Sequence, residues 1–549
     1  MAQLNPQQIV QGANAHPRPA GITYAYGTAG FRADAEILDS VFYRVGLLAV
    51  LRSKKLGGKT IGVMVTASHN PENDNGVKVV DPMGEMLHSS WESFATLLAN
   101  AETPDALVQT LSHIVQTAEI DLSVPAKVVY GYDTRPSCRK LVASLVDGFN
   151  AVGAQQVNAG LVTTPMLHYL VRCYNTAGTP DAYGEPTIEG YYKKLATAYT
   201  TLAKGRDLLP ALTVDCANGV GAPKLKEFVS LVGTDILPLR TVRDDHTLRG
   251  NLNLNCGADF VKTKQQAPKN VELVPWQRYC SFDGDADRIV YYYGDDKGVF
   301  HLLDGDKIAG LAGGFIMELV KEAGLDVKVG VVQTAYANGA STKYLSEVLG
   351  VPVTCVPTGV KHLHHAAESY DIGVYFEANG HGTVLFSPST LSLIRSHTPS
   401  PSSPTQRAAL SNLLALTDLI NQTVGDALSD MLLVETVLLH RQWSAAQWDA
   451  AYSDYPNRLV KVLVQDRYAF TTTDAERKVE KPEGLQGKIE EAVGKVEGGR
   501  SFVRPSGTED CVRVYAEAKT REAADALAQT VAGIVFELAG KGTKPATFA

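Results

Sequence analysis

The chain has 549 residues, 45% of them hydrophobic and 20% charged, with 51 basic against 59 acidic side chains and a formal net charge of −8. That length exceeds what one hydrophobic core sustains and points to roughly three to four domains. The composition excludes a disordered or fibrous chain, and the acidic balance gives no sign of a nucleic-acid surface, so an anionic ligand requires a local basic site.

Residues 1–21 contain no apolar signal core, so neither export nor anchoring is expected. The segment "GGKT" (57–60) is not a phosphate-binding P-loop, because Ser53 stands where the upstream glycine belongs. Next comes "TIGVMV" (60–65), short and β-branched as a buried strand should be, followed at once by "TASHNP" (66–71). Pro71 bars a helix through that point, so Ser68 and His69 sit in a loop at the end of a strand. A Ser-His pair there serves turn chemistry as readily as function.

Strand-like runs recur at 126–133, 211–219, 328–335 and 371–380 and alternate with helical ones, the pattern of an α/β protein. The longest apolar run, "IAGLAGGFIM" (308–317), is far short of the about 18 residues that span a bilayer. The Ser-, Pro- and Thr-rich stretch 387–407 reads as an exposed insertion or mobile loop. Beyond 447–462 a few strands and one late helix (521–540) suggest a separate α+β domain. Seven cysteines (Cys138, Cys173, Cys216, Cys256, Cys280, Cys355 and Cys511) form no CxxC pair and read as reduced thiols of a cytoplasmic protein. The sequon at Asn421 is then incidental.

Three further loops carry candidate chemistry. In "CSFDGDADRIVYYY" (280–293), Asp283, Asp285 and Asp287 alternate between two strand-like runs, a spacing that turns three carboxylates toward one hard cation such as Mg²⁺. An EF-hand is excluded, since Arg288 and Gly294 occupy its glycine and glutamate positions, and a DxDxT site is excluded by Asp287. A solvated acidic hairpin is the plain alternative. "YFEANGHGTVLF" (375–386) displays Glu377, Asn379 and His381, side chains suited to sugar hydroxyls but equally to a turn. "RSFVRPSGTEDCVRVYAEA" (500–518) offers Arg504, Ser506, Gly507 and Thr508 to an anion. Arg513 is a second cation whose strand face alternation leaves open.

Together the four loops resemble the α-D-phosphohexomutase superfamily, over nearly the whole chain. "TASHNPENDNGVKVVDPMGEML", "EANGHG" and "RPSGTED" are most similar to its members acting on acetamido sugars. The resemblance implies an α/β fold of four domains around a central cleft: three mixed-sheet α/β domains (1–185, 200–298 and 299–445) and a C-terminal α+β domain (455–549). It implies an isomerase that interconverts N-acetylglucosamine 6-phosphate and 1-phosphate, with Ser68 lending a phosphate through a 1,6-bisphosphate. Mg²⁺ would rest on Ser68, Asp283, Asp285 and Asp287. His69, Arg288 and Arg32 (in "GTAGFR") would serve the phosphoryl group, and Lys78 (in "NGVK") would be the general acid or base. Substrate would meet Thr358 and Gly359 (in "PTGVKHLHH"), Glu377, Ala378 and Asn379, and Arg504, Pro505, Ser506, Gly507, Thr508 and Arg513. A hexosamine phosphate is the expected partner, with no nucleic acid, membrane or obligate protein partner. Glucose or mannose phosphate mutases, a sugar phosphatase and a non-catalytic sugar-phosphate binder are the competing readings. Asn379, where the first of these usually carry serine, favours the acetamido sugar.

Overall fold

The computed structural model of the protein describes residues 4–398, 402–506 and 510–542. The chain forms two compact units, one of residues 1–304, 379–383 and 411–445, the other of 305–378, 384–410 and 446–549.

The first unit holds two five-stranded mixed sheets. One is built from β1 (Phe31–Asp34), β2 (Thr60–Val65), β3 (Asp74–Val80), β4 (Ala126–Tyr132) and β5 (Ala154–Leu161), in the order β1-β3-β2-β4-β5. Strands β2, β4 and β5 run parallel, and β1 and β3 form an antiparallel edge. All six residues of β2 are buried, as a strand covered on both faces by helices requires. The helix Asp39–Lys55, buried from Ser40 to Lys54, supplies one such cover. The other sheet comprises β6 (Leu212–Asp215), β7 (Leu239–Val242), β8 (Tyr279–Phe282), β9 (Ile289–Gly294) and β10 (Phe300–Leu303), ordered β10-β9-β8-β6-β7.

The second unit carries the sheet β12-β11-β13-β14, from β11 (Val329–Thr334), β12 (Val353–Val356), β13 (Ile372–Phe376) and β14 (Gly382–Phe386). Its C-terminal part has β15 (Asn457–Leu463), the ribbon β16 (Thr471–Thr473) and β17 (Lys478–Lys481), and the pair β18 (Arg500–Pro505) and β19 (Cys511–Glu517), with the sheet order β15-β19-β18. Arg500 binds this part to the β11 sheet: it donates to Glu517 and to the carbonyls of Ala335 and Ala337. The mixed-sheet α/β reading with a C-terminal α+β portion thus describes the chain.

Two expectations need correction. Residues 387–407 are not loop throughout: helices Pro388–His397 and Pro404–Leu419 occupy most of the stretch. Each opens on a proline, and Ser387 caps the first by accepting from Thr390 N, so the composition marks helix starts. The C-terminal part also has a second helix, Leu485–Gly494, whose Leu485, Ile489 and Ala492 are buried at helical spacing.

All seven cysteines are free. Asn421 is buried, its amide nitrogen donating to Asp426 and to Pro165 O, which excludes it as a glycosylation site. Among the described residues no helix is long and apolar enough to cross a membrane.

Candidate active site

In the first unit the parallel strands end side by side, and their loops meet. Ser68 follows β2 with φ of 52°, a left-handed conformation that a non-glycine residue holds only when its surroundings impose it. Those surroundings are explicit. Thr66 Oγ1 accepts from Ser68 N at 2.9 Å and donates to Asp133 Oδ2 at 2.7 Å. Arg135, just beyond β4, donates to the carbonyls of Ser68 and Asn70 at 2.9 Å each, to that of Asp74 at 2.8 Å and to that of Pro71. Its Nε meets Asp133 at 3.0 Å. Asn253 Nδ2 also donates to Ser68 O, at 2.9 Å. The loop is therefore held by its backbone, which leaves the serine side chain to other work.

The Ser68 hydroxyl, fully buried, donates to Asp283 Oδ2 at 2.7 Å. Asp283 starts the turn between β8 and β9; its Oδ1 accepts from the backbone N–H groups of Asp287 and Arg288. Only glycine fits at 284, where a Cβ would come within 2.6 Å of Ser68 O. Asp283, Asp285 and Asp287 are all buried, with one oxygen from each inside a 4.8 Å group. Asp285 Oδ2 accepts from Thr164 Oγ1 at 2.6 Å, while Asp285 Oδ1 and Asp287 Oδ1 are buried without a hydrogen-bond partner. Three buried carboxylates, two of them with an orphaned oxygen, fit a hard divalent cation.

Charge balances around them. Lys78 Nζ, from β3, lies 3.4 Å from Asp285 and 3.3 Å from Asp287. Arg288 Nε lies 3.7 Å from Asp287 and 3.9 Å from Asp283, and His381 Nδ1 lies 3.5 Å from Asp287. Burial and the neighbouring Asp287 and Asp285 push Asp283 well above the usual carboxylate range. Burial also opposes the charge on Asp287, but Lys78 and His381 outweigh it and hold that carboxyl well below the range. Burial, reinforced by Arg288 and Arg32, drives His69 far below its ordinary value, so its ring is a neutral partner beside the serine hydroxyl, 3.4 Å away. Arg32, on β1, donates to Asn70 of the serine loop.

The sugar-type loop enters this unit at Asn379. Its Oδ1 accepts from His381 N at 3.0 Å, so half of the amide shapes its own turn. Gly380 is required there: a Cβ at its φ of 85° would lie 1.8 Å from Ile289 O.

In the second unit β18 and β19 pair antiparallel with Arg504 directly opposite Arg513, which puts both on one face. Arg504 Nε donates to Glu476 Oε1 at 3.1 Å, and Glu476 Oε2 accepts from Thr358 N at 2.9 Å and Thr358 Oγ1 at 2.6 Å. One carboxylate thus collects a guanidinium, an amide and a hydroxyl, the donors that a phosphate would take. Glu476 sits in the β16–β17 turn after Asp474 and Ala475, all three at positive φ. Ser506 N closes on Cys511 O at 2.9 Å, and Pro505 ends β18. Gly359, at φ 130°, precedes the helix Val360–Ala367; Glu377 and Ala378 follow β13. Gly507 and Thr508 lie outside the described residues.

The expected Ser68, His69, Lys78, Arg32, Arg288 and the three aspartates thus gather in the first unit, with Asn379 in the same unit, and Thr358 and Arg504 meet in the second. Sequence reasoning missed Arg135, Asn253, Thr164 and Glu476. Each acts on a partner far along the chain, Arg135 at 67 and Asn253 at 185 residues from Ser68, so no local signal marks them.

Four family models match the chain. Phosphoglucomutase/phosphomannomutase alpha/beta/alpha domain I matches residues 49–100 and 97–179, and the C-terminal domain of that family matches 459–534. Phosphoacetylglucosamine mutase AMG1 domains II and III match 177–290 and 304–443. The phosphoacetylglucosamine mutase of Sus scrofa is 54% identical over 538 residues, covering 97% of each chain. The N-acetylphosphoglucosamine mutase of Aspergillus fumigatus, solved with GlcNAc-6P and magnesium, is 52% identical with a TM-score of 0.94, covering 98% of this chain and 99% of that one. A structure of the same fungal enzyme with glucose 1,6-bisphosphate gives 51% identity and a TM-score of 0.93, covering 98% of this chain and 100% of that one.

Proposed function

The chain belongs to the phosphoacetylglucosamine mutase family of the α-D-phosphohexomutase superfamily, and from that premise we infer that it interconverts N-acetylglucosamine 6-phosphate and N-acetylglucosamine 1-phosphate, serving UDP-N-acetylglucosamine synthesis. It is an isomerase. The observation that carries the reading is the Ser68 hydroxyl at 2.7 Å from Asp283 within a buried trio of carboxylates.

A phosphoryl group cannot pass directly between O6 and O1 of one sugar, so Ser68 lends its own. The bond from phosphorus to Ser68 Oγ breaks as one forms to the free sugar hydroxyl, whose proton leaves to a base, giving the 1,6-bisphosphate. The other phosphoryl group then returns to Ser68 Oγ, and a proton is restored to the oxygen it leaves. Lys78, beside the trio, is the group assigned to move these protons. His69, neutral, supplies a hydrogen bond; Arg288 and Arg32 supply charge. Asp283, Asp285, Asp287 and Ser68 would hold Mg²⁺, which when bound offsets charge on the transferring group. Arg504, with Arg513 beside it, and Thr358 are assigned to the phosphate that is not reacting, and Glu377, Ala378, Asn379 and Gly359 to the sugar.

Four domains at 1–185, 200–298, 299–445 and 455–549 remain the reading; it is supported by sheets confined to 31–161, 212–303, 329–386 and 457–517. The protein acts in the cytoplasm on a small hexosamine phosphate, without nucleic acid, membrane or obligate protein partner. A coupled assay tests the function: purified protein with Mg²⁺ and a trace of bisphosphate should form N-acetylglucosamine 1-phosphate from the 6-phosphate. Release of inorganic phosphate in its place would make it a phosphatase.

A further inference from the structure

Behind the serine loop lies a cavity of about 650 Å³ that the mutase reading does not use. It is lined by Tyr132, Thr134, Arg139, Asn158, His246 and Arg249, among others. It opens at the carboxyl ends of β4 and β5, the side on which open α/β sheets take ligands. Its volume lies within the range of about 300–1,000 Å³ typical of small-molecule sites.

The polar groups facing it are short of anions. Arg139 has no hydrogen-bond or ion-pair partner among the described residues. Arg249, its side chain 66% exposed, has one loose pair at 3.7 Å, with Glu72, whose other oxygen accepts from Gly250 N. The helix Cys138–Val152 begins at the cavity with no side-chain cap on its first turn and no acidic residue there; Arg139 and Lys140 stand in that turn. A positive helix end favours acids at those positions. The Thr134 hydroxyl is buried without a partner. Asn158 spends its Oδ1 on Gly160 N, which keeps its amide nitrogen available as a donor. Asp133, the carboxylate on the wall, is already engaged by Arg135 and Thr66. Tyr132, Val142 and Leu161 add apolar surface.

We propose that this cavity binds a phosphate monoester with a flat, apolar body, the phosphate held by Arg139, Arg249 and the helix N-terminus and the body laid against Tyr132 and Leu161. His246 and the Thr134 hydroxyl complete the anion's donors. The site is distinct from the one that turns over sugar phosphate, so the two are occupied together.

Phenyl phosphate is the probe. Titrated by calorimetry into the full-length protein already saturated with glucose 1,6-bisphosphate, it should bind with one-to-one stoichiometry and more tightly than inorganic phosphate. Losing one charge-assisted contact should weaken it about tenfold or more in Arg139→Ala and again in Arg249→Ala. Mutase turnover of Arg139→Ala without the probe should match the unaltered protein, which shows that the variant is folded. Absence of binding in the presence of the bisphosphate, or equal affinity in both variants and the unaltered protein, overturns the site. Equal affinity for phosphate and phenyl phosphate overturns the assignment of an apolar body.

Discussion

Glu476 occupies donors of Arg504 and Thr358, so a phosphate taken there, as the proposed function assigns, has to displace a carboxylate. The perturbation that isolates this is Glu476→Gln, which keeps the shape and the turn at positive φ but removes the charge. The Arg504–Glu476 contact is 3.1 Å long, with the two side chains 19% and 16% exposed, and Thr358 adds two more hydrogen bonds. A hydrogen bond to a charged group contributes about 1.5–3 kcal/mol and a neutral one about 1 kcal/mol. With Gln the Thr358 bonds lose their charged acceptor while Arg504 keeps its charge, and exchanging one bond of the first kind for one of the second lowers the cost of clearing the site by about 0.5–2 kcal/mol, or about a two- to thirtyfold gain in affinity. The measurement is calorimetric binding of N-acetylglucosamine 6-phosphate, made in a Ser68→Ala background so that no turnover intervenes. Tighter binding by Glu476→Gln, with the gain shrinking as salt rises, is the expected result. Unchanged or weaker binding would refute the reasoning, because it would mean that the carboxylate stays in place and contributes to holding the ligand.

Ser68→Ala should lose nearly all mutase activity while still binding the sugar phosphate, since its backbone clamp does not involve the hydroxyl; intact-mass analysis of active protein should show one phosphate on the peptide containing Ser68. Chelation of metal should abolish activity reversibly, with Mg²⁺ restoring it, whereas Asp285→Ala should stay inactive at any Mg²⁺ concentration; full turnover after exhaustive dialysis against chelator contradicts the metal role. Asn379→Ser should shrink the preference for N-acetylglucosamine phosphate over glucose phosphate in kcat/KM. With one amide lost from the pairing, the effect should be nearer tenfold than a hundredfold.

What could be read in the sequence divides along a physical line. Strand β2 was legible to the residue because a covered parallel strand needs an unbroken apolar, β-branched run, and the turn signals at each end bound it. The acidic loop was legible because its three carboxylates are two residues apart in one hairpin, so spacing alone brings them together. Residues 387–407 misled because a Ser-, Pro- and Thr-rich composition was read as loop, although Ser at a cap and Pro at the first position start a helix. The face of Arg513 waited on the β18–β19 register, since one residue of slip would turn it away from Arg504. Arg135 and Asn253 lie 67 and 185 residues from Ser68, and Glu476 lies 118 from Thr358, so no local pattern announces them. The division has a cause in the chemistry of the site. Groups assigned to the substrate lie in short loops whose composition betrays them, whereas the groups that hold Ser68 in a left-handed conformation act largely through backbone carbonyls, which any sequence provides. A positioning residue such as Arg135 becomes visible only once the fold shows which carbonyls converge on it.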